Sequence, residues 1–208
     1  MSEQKDWTGN GNSIYKTLGA SNHTDKEREK DDFYATDPIA INRLLKKYHL
    51  PKNVWECSCG QGHLSERLIE NGYNVFSSDL VDRGYDKFHE MDFLKTSYIP
   101  FDTLDDVCIL TNPPYKLHTE FILHALDILP EGAPVILLLK TTALEGKKRF
   151  DLLYNKGYLK YIYQFTERLL CAKNADFEGM RAGGGSAVSY AWFVFQKGNC
   201  DKTTIDWI

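Results

Sequence analysis

The sequence predicts an α/β domain built on a doubly wound, mostly parallel sheet with helices on both faces. Strand-like and helix-like segments alternate along most of the chain, the pattern of βαβ units. Val135 to Leu139 is a continuous apolar run, as expected of a strand covered on both faces in the middle of a parallel sheet. Two tight turns, Cys59-Gly60-Gln61-Gly62 and Asn112-Pro113-Pro114-Tyr115, follow strand-like segments, at the sheet edge where such folds carry their ligands.

The elements follow in order. Residues 1–32 are rich in Ser, Asn, Gly, Asp, Glu and Lys and read as a polar arm with little core of its own. Trp7 and Tyr15 are its exceptions, candidates to dock it on the domain or on a substrate. Residues 33–208 are then expected to form one domain. Asp37-Pro38 supplies a cap and a first-turn proline for a helix with the stripe Ile39, Ile41, Leu44 and Leu45. Val54 to Cys57 reads as a strand, and His63 to Glu70 as a helix closed by Asn71-Gly72. Tyr73 to Asp79 is a second strand, and a short third one is expected to end at Asp92. Val107 to Leu110 is a buried strand, Thr119 to Leu129 a helix, and Gly146 to Asn155 another. Tyr161 to Phe165 and Val188 to Phe195 are two late strands flanking a glycine-rich loop.

The chain has 208 residues, 42% hydrophobic and 26% charged, with a net charge of −4. That length suits one domain with a core large enough to fold alone. The acidic balance gives no global support to a nucleic-acid partner, although a local basic face can serve one. No apolar run approaches the ~20 residues of a membrane span, and the first 32 residues lack the apolar stretch of a signal peptide. A cytoplasmic protein with no membrane partner is expected. The five cysteines fit neither a disulfide framework nor a zinc site, so buried reduced thiols and no metal are expected.

Glu56-x-x-Cys59-Gly60-x-Gly62 follows a strand and opens a helix. Its glycines allow a tight turn and a close approach to a ligand. A dinucleotide fingerprint would carry a third glycine three residues on, where Ser65 stands, so a pyrophosphate site is disfavoured. Asp79 closes the second strand at the spacing of a carboxylate that takes ribose hydroxyls. Asp92 could accept from an adenine amino group while Phe93 packs on the base, or it could simply cap a turn. Glu56, Asp79 and Asp92 thus stand at three successive strand ends.

Asn112-Pro113-Pro114-Tyr115 is the most informative tetrapeptide. Two prolines stiffen the turn and remove backbone donors. Pro113 keeps a carbonyl acceptor, Asn112 adds a side-chain acceptor, and Tyr115 offers an aromatic face. This set suits an amino group on a flat conjugated ring. Such a nitrogen is a poor nucleophile because its lone pair is delocalised. Two acceptors on its protons localise the pair, and a stacked ring aligns it with an electrophile.

With these motifs in view, the chain resembles the adenine-specific amino-methyltransferase superfamily over about residues 34–197. Glu56 to Gly62 resembles its cofactor loop, with Cys57 and Gly60 inside it. Asp79 resembles its ribose acid, Asp92-Phe93 its adenine-contacting pair, and Asn112 to Tyr115 its catalytic motif. Tyr34-Ala35-Thr36-Asp37-Pro38 resembles the segment that packs on the methionine part of the cofactor, and Thr36 is its candidate contact. The resemblance implies a Rossmann-like methyltransferase fold with a mostly parallel seven-stranded sheet, S-adenosylmethionine as cofactor and adenine N6 in DNA as target. Taken whole, the chain is similar to small adenine methyltransferases of phages and prophages. Similar tetrapeptides also serve methylation of adenine in RNA and of glutamine amides in protein, and a binding module that keeps the fold without turnover is a further alternative. Larger DNA members carry a separate target-recognition domain, which is not expected here. C5-cytosine chemistry is disfavoured because no Pro-Cys dipeptide occurs.

Residues 173–186 join the last two predicted strands and contain Arg181 and Gly183-Gly184-Gly185. In the resembling family this region supplies an aromatic that sandwiches the target base, and Phe177 is the candidate, with core packing or exposure as the alternative. The glycines point to a mobile loop that orders on substrate. Lys147-Lys148-Arg149, with Lys140 nearby, could touch phosphates or form a solvated face. His63 is read as positional. A dimer would add a recognition surface, but no residue pattern specifies one.

Overall fold

The computed structural model describes residues 34–172, 175–183, 185–198 and 202–208. The polar arm, with Trp7 and Tyr15, lies outside the described residues, as do Lys173 and Gly184 of the late loop. The elements are β1 (Ala35–Thr36), α1 (Ile39–Leu44), β2 (Asn53–Glu56), α2 (His63–Glu70), β3 (Asn74–Asp79), β4 (Phe88–Glu90), β5 (Val107–Thr111), α3 (His118–Ile128), β6 (Pro134–Lys140), α4 (Lys147–Arg149), β7 (Leu159–Gln164), β8 (Cys171–Ala172), α5 (Phe177–Ala182), β9 (Tyr190–Gln196) and β10 (Thr204–Trp207).

The main sheet runs β10-β7-β9-β6-β5-β2-β3-β4. Its pairs are parallel except those made by β9, which runs antiparallel to both β6 and β7. This is the expected Rossmann-like α/β fold. The sheet holds an eighth strand beyond the seven expected, because β10 adds to the β7 edge. Most of β10 is exposed, so no apolar run marks it. β1 and β8 form a separate antiparallel pair, Thr36 opposite Cys171.

Period-two alternation sends strand side chains into two cores. Ile109, Leu137, Phe193 and Phe195 face one core with Phe121 and Leu126 of α3. Leu110, Ile136, Leu138 and Trp192 face the other, with Ile41 and Leu44 of α1 and Leu64 and Leu68 of α2. Chain direction across the sheet reverses between β2 and β5, so a crevice opens beyond their carboxyl ends.

Local differences from expectation have simple causes. Asp37 does accept from the Ile39 N–H at 3.1 Å, but Ala40 rather than Ile39 joins the buried stripe of α1, and Ile39 is 40% exposed. The third strand ends at Glu90, since Asp92 caps a 3-10 turn, Phe93–Lys95. The segment expected as one helix from Gly146 is α4 followed by a π turn, Phe150–Tyr154. The late loop, expected without structure, contains α5, capped by the Asp176 side chain on the Gly179 N–H at 2.9 Å. Cys57, Cys59, Cys108 and Cys171 are buried free thiols, as expected.

Candidate active site

The turn after β2 is shaped by its glycines. Gly62 sits at φ +78°, and a Cβ there would meet the Tyr85 ring at 2.5 Å. Gly60, at φ +56°, donates its N–H to Asp79 Oδ2 at 2.8 Å. Asp79 Oδ1 accepts from the Val81 N–H at 3.2 Å, and the Cys59 N–H reaches the Ser78 carbonyl at 3.0 Å. The loop is therefore tied to the end of β3, with the Asp79 carboxylate fixed between them.

Glu56 is 2% exposed at the end of β2. Ser65, at the position where a dinucleotide fold has glycine, donates its hydroxyl to Glu56 Oε2 and lies 2.6 Å from the Ser77 hydroxyl. Burial pushes the Glu56 carboxyl up to about 8, and the Ser65 hydrogen bonds only partly offset this.

The tetrapeptide closes β5. Asn112 Nδ2 donates to Thr36 Oγ1 at 2.9 Å and to the Tyr34 carbonyl at 3.5 Å. A backbone carbonyl only accepts, so the amide nitrogen must face β1 and the amide oxygen must face away. That oxygen, Asn112 Oδ1, is buried and has no hydrogen-bond partner among the described residues. Buried acceptors without partners are rare. The Asn112 backbone carbonyl, by contrast, accepts from Ser58 Oγ at 3.2 Å, and Ser58 also bonds Thr111 Oγ1 at 2.6 Å. The Pro114 carbonyl accepts from the Leu117 N–H at 2.9 Å, which completes the turn.

Tyr115 stacks near Tyr34 and Tyr190, with centroids 6.0 and 6.2 Å away. Its hydroxyl lies 2.9 Å from that of Tyr190, and burial pushes the phenol far above its usual range. Lys140 Nζ stands 4.3 Å from the ring centroid, within cation–π reach.

These groups share one narrow cleft with about 560 Å³ of empty space, including its open mouth. Its walls include Thr36, Glu56, Asp79 and the whole Asn112–Tyr115 turn, all singled out from sequence. Ser58 and Arg83 also line it, although no pattern in the sequence distinguishes them from ordinary turn residues. His63, read as positional, lines it too. Burial pushes the His63 imidazole down, with Asp37 opposing.

Other candidates fall elsewhere. Gly60 and Gly62 shape the loop through their backbone. Cys57 is buried in the core. Asp92 and Phe93, the expected adenine-contacting pair, make other contacts in this structure. Asp92 Oδ1 caps the Leu94 N–H at 3.2 Å and its Oδ2 pairs with Lys95 at 2.7 Å. The Phe93 ring is 3% exposed, packed edge-on to Trp55 at 5.2 Å and tilted against Phe121 at 4.9 Å. The ring is thus packed in the core, and neither residue is among those lining the cleft. Phe177 is half-buried, edge-on to the cleft residue His63 at 5.7 Å, which places it beside the cleft. Arg181 pairs with Asp37 at 2.6 Å and lines a neighbouring groove instead. Lys147 is exposed on α4 and is not among the residues lining the cleft.

No family model matches the chain, and no curated protein matches it in sequence. Solved structures do resemble it. The methyltransferase subunit of a type I restriction-modification system from Streptococcus thermophilus superposes with a TM-score of 0.59 at 13% identity, covering 85% of this chain and 47% of that one. A Lactococcus lactis protein assigned as a hemolysin gives 0.55 at 13% identity, covering 81% and 89%. A Listeria monocytogenes protein assigned as a class I S-adenosylmethionine-dependent methyltransferase gives 0.52 at 12% identity, covering 82% and 62%. This chain spans about half the length of the first and less than two thirds of the third. At such identities the likeness establishes the fold, which is the methyltransferase fold.

Proposed function

We propose that this chain is an S-adenosylmethionine-dependent methyltransferase acting on the N6 amino group of adenine in DNA. The observation that carries the reading is Asn112 Oδ1, a buried acceptor without a partner among the described residues, held in orientation by Thr36 and Tyr34 at the wall of the cleft. An exocyclic amino group supplies the missing donor.

The wall residues suit the cofactor. Glu56 is a buried carboxyl whose described side-chain partner is one hydroxyl, Ser65. A cationic ligand is the partner such a group lacks. Asp79 keeps lone pairs for ribose hydroxyls beyond those used by Gly60 and Val81. Thr36, Glu56 and Asp79 are the residues that would hold S-adenosylmethionine, which supplies an electrophilic methyl group when bound.

The chain's own part is orientation and electrostatics. Asn112 Oδ1 and the Pro113 carbonyl accept hydrogen bonds from the two amino N–H groups and draw the nitrogen lone pair out of conjugation. The Tyr115 ring packs on the base plane. No group has to be a strong base, because the nitrogen sheds its proton only after it has become cationic.

The test is methyl transfer from labelled S-adenosylmethionine to duplex DNA, with single-stranded DNA, structured RNA and cell-extract protein in parallel. Label recovered from DNA as N6-methyladenine supports the reading. Label on RNA or protein with DNA blank overturns the substrate and keeps the amino-group chemistry. No transfer to any of them, with no cofactor binding by calorimetry, overturns the reading.

A further inference from the structure

Beside the cleft lies a second, broader groove with about 1270 Å³ of empty space, including its open mouth, lined by Arg43, Arg67, Arg168 and Arg181 against two carboxylates, Asp37 and Glu167. An arginine-rich groove is unexpected on a chain of net charge −4. Four separate parts of the fold supply these guanidinium groups: α1, α2, the segment before β8, and α5. Arginine is suited to phosphate because its planar fork donates to two oxygens at once.

We infer that this groove seats the sugar–phosphate backbone that flanks a target base held in the cleft. The inference rests on the nucleic-acid reading of the cleft. Three features support it. First, the groove adjoins the cleft. Asp37, in its wall, follows the cleft residue Thr36, and Arg181 shares α5 with Phe177, which packs on the cleft residue His63. Second, two of the four arginines, Arg43 and Arg168, are weakly engaged, whereas Arg67 pairs with Glu70 at 3.1 Å and Arg181 with Asp37 at 2.6 Å. Arg43 pairs with Glu167 at 2.5 Å, but the Glu167 side chain is 75% exposed, and exposed pairs of this kind are readily exchanged for another anion. Arg168 is exposed and belongs to none of the ion pairs among the described residues. Third, one wall of the groove is formed by Arg181 of α5 and by Gly185, which follows that helix, so the groove and the Phe177 side of the cleft are built by one segment.

The experiment uses the full chain and the double variant R43Q/R168Q, neither position being part of the cleft. Fluorescein-labelled random-sequence DNA duplex is titrated by anisotropy over a range of salt, with RNA of the same sequence in parallel. Steady-state methyl transfer and calorimetric S-adenosylmethionine affinity are measured on the same samples. The expected result is a rise in Kd and KM for the nucleic acid on the order of tenfold, and a fall of roughly 2 in the slope of log K against log salt, about 0.9 per phosphate contact. The kcat, the cofactor affinity and the melting temperature stay unchanged, which shows that the fold is intact. The double variant K147Q/K148Q, on α4, leaves the slope as it was.

An unchanged slope and KM in R43Q/R168Q overturn the groove while the methyltransferase reading stands. Arginine-dependent nucleic-acid binding without methyl transfer upholds the groove and overturns the reaction. Arginine-dependent capture of polyglutamate with no effect on DNA or RNA overturns the groove in favour of an acidic protein surface.

Discussion

The amide nitrogen of Asn112 donates to the hydroxyl of Thr36 at 2.9 Å, across 76 positions of sequence. Thr36 is 4% exposed and pinned by the β1–β8 pairing, so the small second sheet sets the orientation of the group that closes β5. Replacing Thr36 by Val keeps the shape and removes the acceptor. We expect kcat to fall roughly tenfold, the worth of about 1–1.5 kcal/mol for one hydrogen bond, with KM for the nucleic acid little changed and recovery in Thr36→Ser. A Thr36→Val enzyme with wild-type kcat would show that the amide is oriented by other means.

Replacing Asn112 by Ala removes the unpaired acceptor itself. Turnover is expected to drop by at least ~10²–10³, as for other lost transition-state hydrogen bonds, with cofactor affinity by calorimetry nearly intact. Wild-type turnover would remove Asn112 from the chemistry.

Glu56 makes both stability and binding depend on pH. Its carboxyl is raised from 4.5 to about 8 by burial, so between these values the native state holds a proton that the unfolded chain releases. Stability from this group is complete below 4.5 and is lost as pH rises through about 8. A cationic cofactor selects the ionised form, so its affinity should rise with pH up to about 8, approaching tenfold per pH unit. Both trends should flatten in Glu56→Gln, measured by melting temperature and calorimetry across pH 5–9. A parallel slope in the variant would assign the effect to another group.

Gly62 and Gly72 both take left-handed backbone, at φ +78° and +85°. Only Gly62 has a neighbour where a Cβ would go, the Tyr85 ring at 2.5 Å, whereas Gly72 has none within 4 Å. Gly72→Ala is expected to cost about 1–2 kcal/mol for the backbone alone. Gly62→Ala should cost more, at least ~2–3 kcal/mol with the strain added, in urea unfolding. Equal losses would mean that Tyr85 yields freely.

Phe93 separates core from cofactor roles. Phe93→Leu should cost about 1–1.5 kcal/mol of stability through poorer packing against Trp55 and Phe121 while leaving cofactor affinity unchanged. A tenfold loss of affinity at unchanged stability would make Phe93 a ligand contact.

Much of this architecture was legible in the residues. The continuous apolar runs of β6 and β9, the Asn71-Gly72 stop of α2 and the two turns at strand ends all follow from local backbone and burial requirements, which a sequence displays directly. What escaped depended on partners remote in the chain. Ser65 reads as a missing glycine, yet its hydroxyl is the partner of Glu56. Ser58 looks like filler in a loop, yet it carries the carbonyl of Asn112. Phe93 and Asp92 sit where a ligand pair could stand, but the ring finds a deeper core and the carboxylate a nearer N–H. β10 lies on an edge with three of its four residues in solvent, so no periodicity announces it.

The sequence by itself determined the doubly wound class, the glycine turn after β2 and the acceptor-bearing turn after β5, because φ restrictions and apolar periodicity are properties of neighbouring residues. Only the tertiary structure decided that Thr36 orients Asn112, that Oδ1 is left without a partner among the described residues, and that four arginines from four separate segments line one groove. Those outcomes depend on which distant side chains meet when the sheet closes, and hydrogen bonds and burial go to whichever partner the packing brings nearest.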